Sequence, residues 1–211
     1  GNGYVDDIYG LNTLEQNGNI SWNNIRYDAE GKYTGDVGHG THVAGIIAAV
    51  NNNGEGISSI AGGSGNGDGV RIMSVQIFQE NTGIADARIA AGIEYAADMG
   101  AAILQCSWGL PVMWISDGGY ENNTGKLYIE AIKYFVECSD NGVMDGGVAI
   151  FAAGNESLMY ACYPGAYNEF ISVTAIAADG LPTGYTNYHY GCNIAAPGGD
   201  YEYVDGVLNP Y

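Results

Sequence analysis

The 211 residues carry 24 acidic against 6 basic side chains, a formal charge of −18, and 46% of them are apolar. The apolar share supports a packed core of one sizeable domain and excludes global disorder. The charge excludes nucleic acid and anionic lipid as partners, and no run approaches the roughly 18 consecutive apolar residues of a membrane-spanning helix. The chain opens on Gly1, with no basic stretch leading into an apolar run, so a signal peptide is expected to be absent or already removed.

Residues 39–50 read as a helix, with Val43, Ile46, Ile47 and Val50 on one face. The glycine-rich residues 62–69 read as a surface turn. Residues 70–78 read as a strand, carried by Val70, Ile72, Val75 and Ile77. Residues 84–99 are Ala-rich and helical, and Gly100 is a natural stop. A short apolar strand is expected at 101–106. A helix follows at 126–138, with Leu127, Ile129, Ile132, Phe135 and Val136 as candidate core. Further strands are expected at 148–153 and 170–176. Strands that are apolar along their length and separated by helices predict an α/β fold with a mainly parallel sheet covered on both faces. Sites in such sheets form at the carboxyl ends of strands. No linker or repeat divides the chain, so residues 1–211 read as a single domain.

The four cysteines, Cys106, Cys138, Cys162 and Cys192, lack the CxxC spacing of a structural zinc site. Cys106 ends an apolar run and reads as a buried free thiol. Cys162 and Cys192 fall in loop-like sequence and are candidates to pair with each other.

Three segments carry chemistry. In Gly38-His39-Gly40-Thr41-His42-Val43-Ala44-Gly45, a histidine flanked by glycines opens a helix, which leaves its ring uncovered and free to act as a base. Gly40 and Gly45 each cost about 0.5–1 kcal/mol inside a helix, so something is expected to pack closely there. Two surface or core histidines, or a metal site using both, are the competing readings. In Val148-Ala149-Ile150-Phe151-Ala152-Ala153-Gly154-Asn155-Glu156, an apolar strand ends in small residues and then an amide, which suits donation to a developing oxyanion. Isolated Gly-Asn pairs also mark turns. Gln105-Cys106-Ser107-Trp108-Gly109 closes a short apolar strand on a Ser-Trp-Gly end. Trp108 is either an aromatic wall there or a core side chain.

These segments, in this order, resemble the motifs of the subtilisin-like serine protease (subtilase) family. The resemblance implies the three-layer fold of that family, here truncated at both ends. It implies that His39 is the general base, that Asn155 is the oxyanion donor, and that Ser107, Trp108, Gly109, Ala153 and Gly154 bind substrate. His42 would have a packing role. Tyr163-Pro164-Gly165-Ala166-Tyr167, Ile194-Ala195-Ala196-Pro197-Gly198-Gly199 and Asn2-Gly3-Tyr4-Val5-Asp6-Asp7-Ile8-Tyr9-Gly10 extend it nearly end to end, the last resembling bacterial secreted members. A polypeptide substrate, calcium as a structural cofactor and a secreted or cell-surface location are implied with it. Asn53 and Glu55, joined by Asp7 or Asp6, would supply the calcium oxygens; a polar turn is the other reading of that loop.

The family mechanism also needs a serine and an aspartate. No serine here stands in a Gly-Thr-Ser-Met-Ala context, and Asp6 and Asp7 lack the strand that precedes the family's aspartate. The expectation is therefore a partial catalytic domain whose partner is its own serine-bearing segment. An inactive peptide-binding module and a transpeptidase or macrocyclase on the same fold are the alternative functions.

Overall fold

The computed structural model describes residue 4 and residues 7–20, 30, 38–78, 86–111, 116–123, 125–204 and 207–210. The chain divides into two compact units, Gly1–Tyr95 and Ala96–Tyr211.

In the first unit, β1 (Gly10–Asn12) pairs in parallel with β2 (Ser74–Gln76). The strand expected over 70–78 contracts to these three residues because its partner is three residues long, and Val70 and Ile72 are left exposed. Helix α2 (Asp86–Asp98) lies against this pair and buries Ile89, Ala90 and Ile93. Gly92 marks the close approach: a Cβ there would stand 2.8 Å from Val75 and 2.9 Å from Thr13. Tyr95 ends the unit's core, its ring edge-on to Tyr4 and its hydroxyl donating to Asp7 Oδ2 at 3.0 Å.

Helix α1 (His39–Ala48) forms where expected, but none of its residues is buried. Ile46 and Val50, expected on a core face, are exposed, and so is His42, which corrects its assignment to packing. The loop after the helix is fastened to it instead: Ile60 and Ala61 donate backbone N–H groups to Ile46 and Ile47 carbonyls at 3.0 and 2.9 Å.

In the second unit, β3 (Ile103–Cys106), β4 (Val148–Ala152), β5 (Ile171–Ile176) and β6 (Ile194–Pro197) form a four-stranded sheet in that spatial order, every neighbour parallel. This is the α/β architecture the alternation of elements predicts. β6, a strand the sequence pattern does not announce, pairs with β5 and ends at Pro197; proline suits the end of an edge strand because it has no N–H to donate. Three further short elements carry no signal in the pattern: α3 (Asp117–Glu121) and the antiparallel strands β7 (Tyr201–Val204) and β8 (Val207–Pro210).

Side chains alternate across a strand, so one face of this sheet carries Cys106, Ala149, Phe151 and Ser172, all buried. Helix α4 (Lys126–Cys138) covers that face with Tyr128, Ile129, Ala131, Ile132 and Phe135. Burying each of the large apolar side chains contributes about 1.5–3 kcal/mol as an upper bound. Leu127, expected in this core, is exposed, and Val136 is half-buried. The opposite face of the sheet presents Ile103, Ile171 and Ile194 at 57%, 38% and 57% exposure.

Candidate active site

His39 stands at the first position of α1 and is exposed. Its N-cap, Gly38, offers no side-chain cap, and no acidic side chain occupies the first turn. The imidazole is thus presented at a helix N-terminus in the first unit. The expected oxyanion donor and substrate-binding residues belong to the second.

There the structure brings two expected segments together. Residues 107–109 continue from the carboxyl end of β3, and Ala153, Gly154 and Asn155 from the carboxyl end of the neighbouring strand β4. Both back onto the same stretch of chain. Leu110 and Tyr163 exchange backbone hydrogen bonds at 2.7 and 3.2 Å, and Cys162 donates its N–H to Ala153 O at 2.7 Å. A Cβ on Gly109 would lie 2.7 Å from that of Cys162. Ser107 Oγ accepts from Gln105 Nε2 at 2.7 Å. Trp108 commits its ring to the core side, 5.7 Å from Tyr128 and 5.9 Å from Phe151 by ring centroids.

Gly154 turns the chain at φ +110°, where a side chain is strained, and a Cβ would meet Asn187 Nδ2, Glu156 Oε2 and Cys162 Sγ at 2.4–2.6 Å. The glycine is therefore required by conformation and by space. It delivers Asn155, exposed, just past the strand end. Glu156 folds back rather than outward: its Oε2 accepts from the Asn155 N–H at 2.8 Å, from Asn187 Nδ2 at 2.9 Å and from Cys162 Sγ at 3.4 Å. Sequence reasoning missed Asn187, since a lone Asn between Thr186 and Tyr188 carries no periodic signal.

The expected Cys162–Cys192 pairing is corrected: all four cysteines are free. Both thiols bond elsewhere, Cys162 to Glu156 and Cys192 Sγ to Asn187 O at 3.6 Å. Burial, reinforced by the Glu156 carboxylate, pushes the Cys162 thiol up to about 12, and burial raises Cys192.

Two of the side chains expected to hold calcium already accept hydrogen bonds. Asn53 Oδ1 is taken by the Glu55 N–H at 3.0 Å, and Asp7 Oδ2 by the Tyr95 hydroxyl. Among the described residues no group of three or more His, Cys, Asp or Glu side chains is placed to hold a metal. Asp6 lies outside the described residues, so the Asp6 alternative has no structural account.

Candidate residues gathered at the carboxyl ends of adjacent parallel strands are where an α/β sheet forms its site. The chain belongs to the subtilase family, peptidase S8, whose family model matches residues 6–209. It is 31% identical over 161 residues to thermitase of Thermoactinomyces vulgaris, covering 76% of this chain and 49% of thermitase. It is 33% identical over 166 residues to the cell wall-associated protease of Bacillus subtilis, covering 78% of this chain and 16% of that protein. A solved protease from Pseudoalteromonas arctica superposes with a TM-score of 0.64 at 22% identity, over 96% of this chain and 64% of its own, and shares the fold. The chain thus spans about half the length of thermitase and less of the second relative.

Proposed function

We propose that the protein carrying this chain is a serine endopeptidase, with residues 1–211 part of a single catalytic domain. The observation that carries the reading is Asn155, exposed beyond β4 and one strand from residues 107–109. In this reading a peptide lies extended along Ser107, Trp108 and Gly109, gaining backbone hydrogen bonds as an added strand, with Ala153 and Gly154 lining the slot beside it. A serine outside these residues attacks the scissile carbonyl carbon, and His39 takes its proton. The carbonyl oxygen becomes an oxyanion, to which the Asn155 side-chain NH₂ donates. His39 then returns the proton to the leaving amine. Water releases the acyl group by the same sequence.

The serine-bearing segment is the partner this reading requires. The exposed Ile103, Ile171 and Ile194 offer it an apolar face, because a sheet face of that kind is stabilised when covered. Family membership supports a polypeptide substrate, and the cell-wall association of the Bacillus subtilis relative supports a place outside the cell or on its surface. Subtilases generally bind calcium, but no step here passes through a metal.

The test is a fluorophosphonate probe on the full-length protein, followed by Asn155→Ala. Labelling, with kcat falling roughly 10²–10³-fold in the variant, supports the reading; that magnitude was measured on subtilisin itself. No labelling with peptide binding retained would make it a binding module. Ligated products would make it a transpeptidase.

A further inference from the structure

Asn187 is the one fully buried amide in the second unit, among its described residues, that reaches the turn bearing Asn155. Its Oδ1 accepts from the N–H groups of Glu156 and Leu158, both at 3.0 Å. Its Nδ2 donates to Ala153 O and to Glu156 Oε2, both at 2.9 Å, with Cys162 Sγ beside it at 3.7 Å. An amide side chain has two acceptor sites and two donor protons, and here all four are used on residues 153–158. Glu156 extends the grip by accepting the N–H of Asn155.

The base of this clamp is equally fixed. Thr174 Oγ1, on β5, donates to Asn187 O, and Thr186 Oγ1 donates to Ala175 O on the same strand. Tyr188 N donates to Leu158 O at 2.9 Å. The amide therefore stands on β5 and holds the turn that leaves β4. Removing its side chain would take this partner from the N–H groups of Glu156 and Leu158, from Ala153 O and from the Glu156 carboxylate.

We infer that Asn187 is a positioning residue for the oxyanion donor: it sets the direction of the Gly154–Asn155–Glu156 turn and so places the Asn155 side chain. The inference rests on the reading of Asn155 as that donor. Misplacing a catalytic group by about 1 Å costs up to about 10²-fold in rate, so a clamp on this turn acts on kcat.

A double-mutant cycle on the full-length protein tests it. Asn187→Ala is expected to lower kcat about 10- to 100-fold with KM within a few-fold, and to add little once Asn155→Ala is present. Equal losses in both backgrounds would overturn the positioning role and leave the donor reading intact. An unchanged kcat in Asn155→Ala alone would instead sink the donor reading. Asn187→Ser, which keeps a hydroxyl, is the variant if the alanine protein does not fold, and its loss is expected to be smaller. Hydrogen exchange at the Asn155, Glu156 and Leu158 amides reads the clamp even without turnover. Faster exchange confined to those amides supports it, and unchanged exchange in a folded Asn187 variant refutes it.

Discussion

Gly109 and Cys162 meet so closely that the smallest side chain at 109 would stand 2.7 Å from Cys162 Cβ and 3.3 Å from Tyr163 O. Residues from the ends of two strands are thereby held against one loop. Gly109→Ala is expected to push the 107–109 segment off its seat, raising KM for peptide substrates while costing about 1–3 kcal/mol of stability by overpacking. Urea titration and steady-state kinetics on the full-length protein check both. An unchanged KM would show that the segment does not touch substrate.

Thiol chemistry separates Cys138 from Cys106 and Cys162. Cys138 is exposed, while Cys106 and Cys162 are buried and held protonated by burial, to about 12 in each case. At pH 8, iodoacetamide is expected to modify Cys138 rapidly and the two buried thiols only after denaturation, because the thiolate is the reactive form. Peptide mass mapping before and after guanidinium gives the answer.

Stability is expected to fall in alkali. Cys106 and Cys162 titrate near 9.0 when unfolded and at about 12 when folded, and Tyr95 moves from 10.0 to about 12, through burial first and its bond to Asp7 second. A folded pKa above the unfolded one gives a contribution that is whole below pH 9 and lost as pH rises towards 12. Melting temperatures across pH 8 to 11 are expected to decline, and less steeply in Cys162→Ala.

Salt should act in the opposite sense. With a formal charge of −18, the compact state repels itself, and the ion pairs of exposed Lys126 with Glu130 and of half-buried Lys133 with Glu121 and Glu169, at 3.7–4.0 Å, contribute little. Raising sodium chloride from 0.05 to 1 M shortens the screening length from about 14 to about 3 Å. The melting temperature is expected to rise; a fall would place the attractive pairs above the repulsion.

Phe135 tests the core. It is fully buried, and its ring closes on Gly147, where a Cβ would lie 2.4 Å away. Phe135→Ala is expected to cost about 3–5 kcal/mol by denaturant unfolding.

Periodicity made α4 and strands β3, β4 and β5 legible, because these apolar strands and the helix between them obey it; β6 was not legible that way. Helix α4 was placed at both ends. It failed where stability comes from something other than a repeating apolar face. β1 is three residues whose partner lies across the first unit, and α3 is a single capped turn in which Ser116 accepts from the Gly119 N–H. The motif residues were readable as isolated positions, and Gly154 shows why two of them adjoin: small residues let a crowded turn form. Asn187 was invisible for the converse reason, since its role is written in hydrogen bonds to residues about 30 positions earlier.

A sheet clothed on one side has a consequence for how the protein must be made. In the proposed reading, the serine-bearing segment of the same chain that would cover Ile103, Ile171 and Ile194 is in a race with a second copy of the same surface. The first encounter depends on the chain alone, the second on concentration, so dilution and slow synthesis favour the productive outcome. Recovery of soluble material from this stretch of polypeptide is therefore a matter of timing and crowding as much as of sequence.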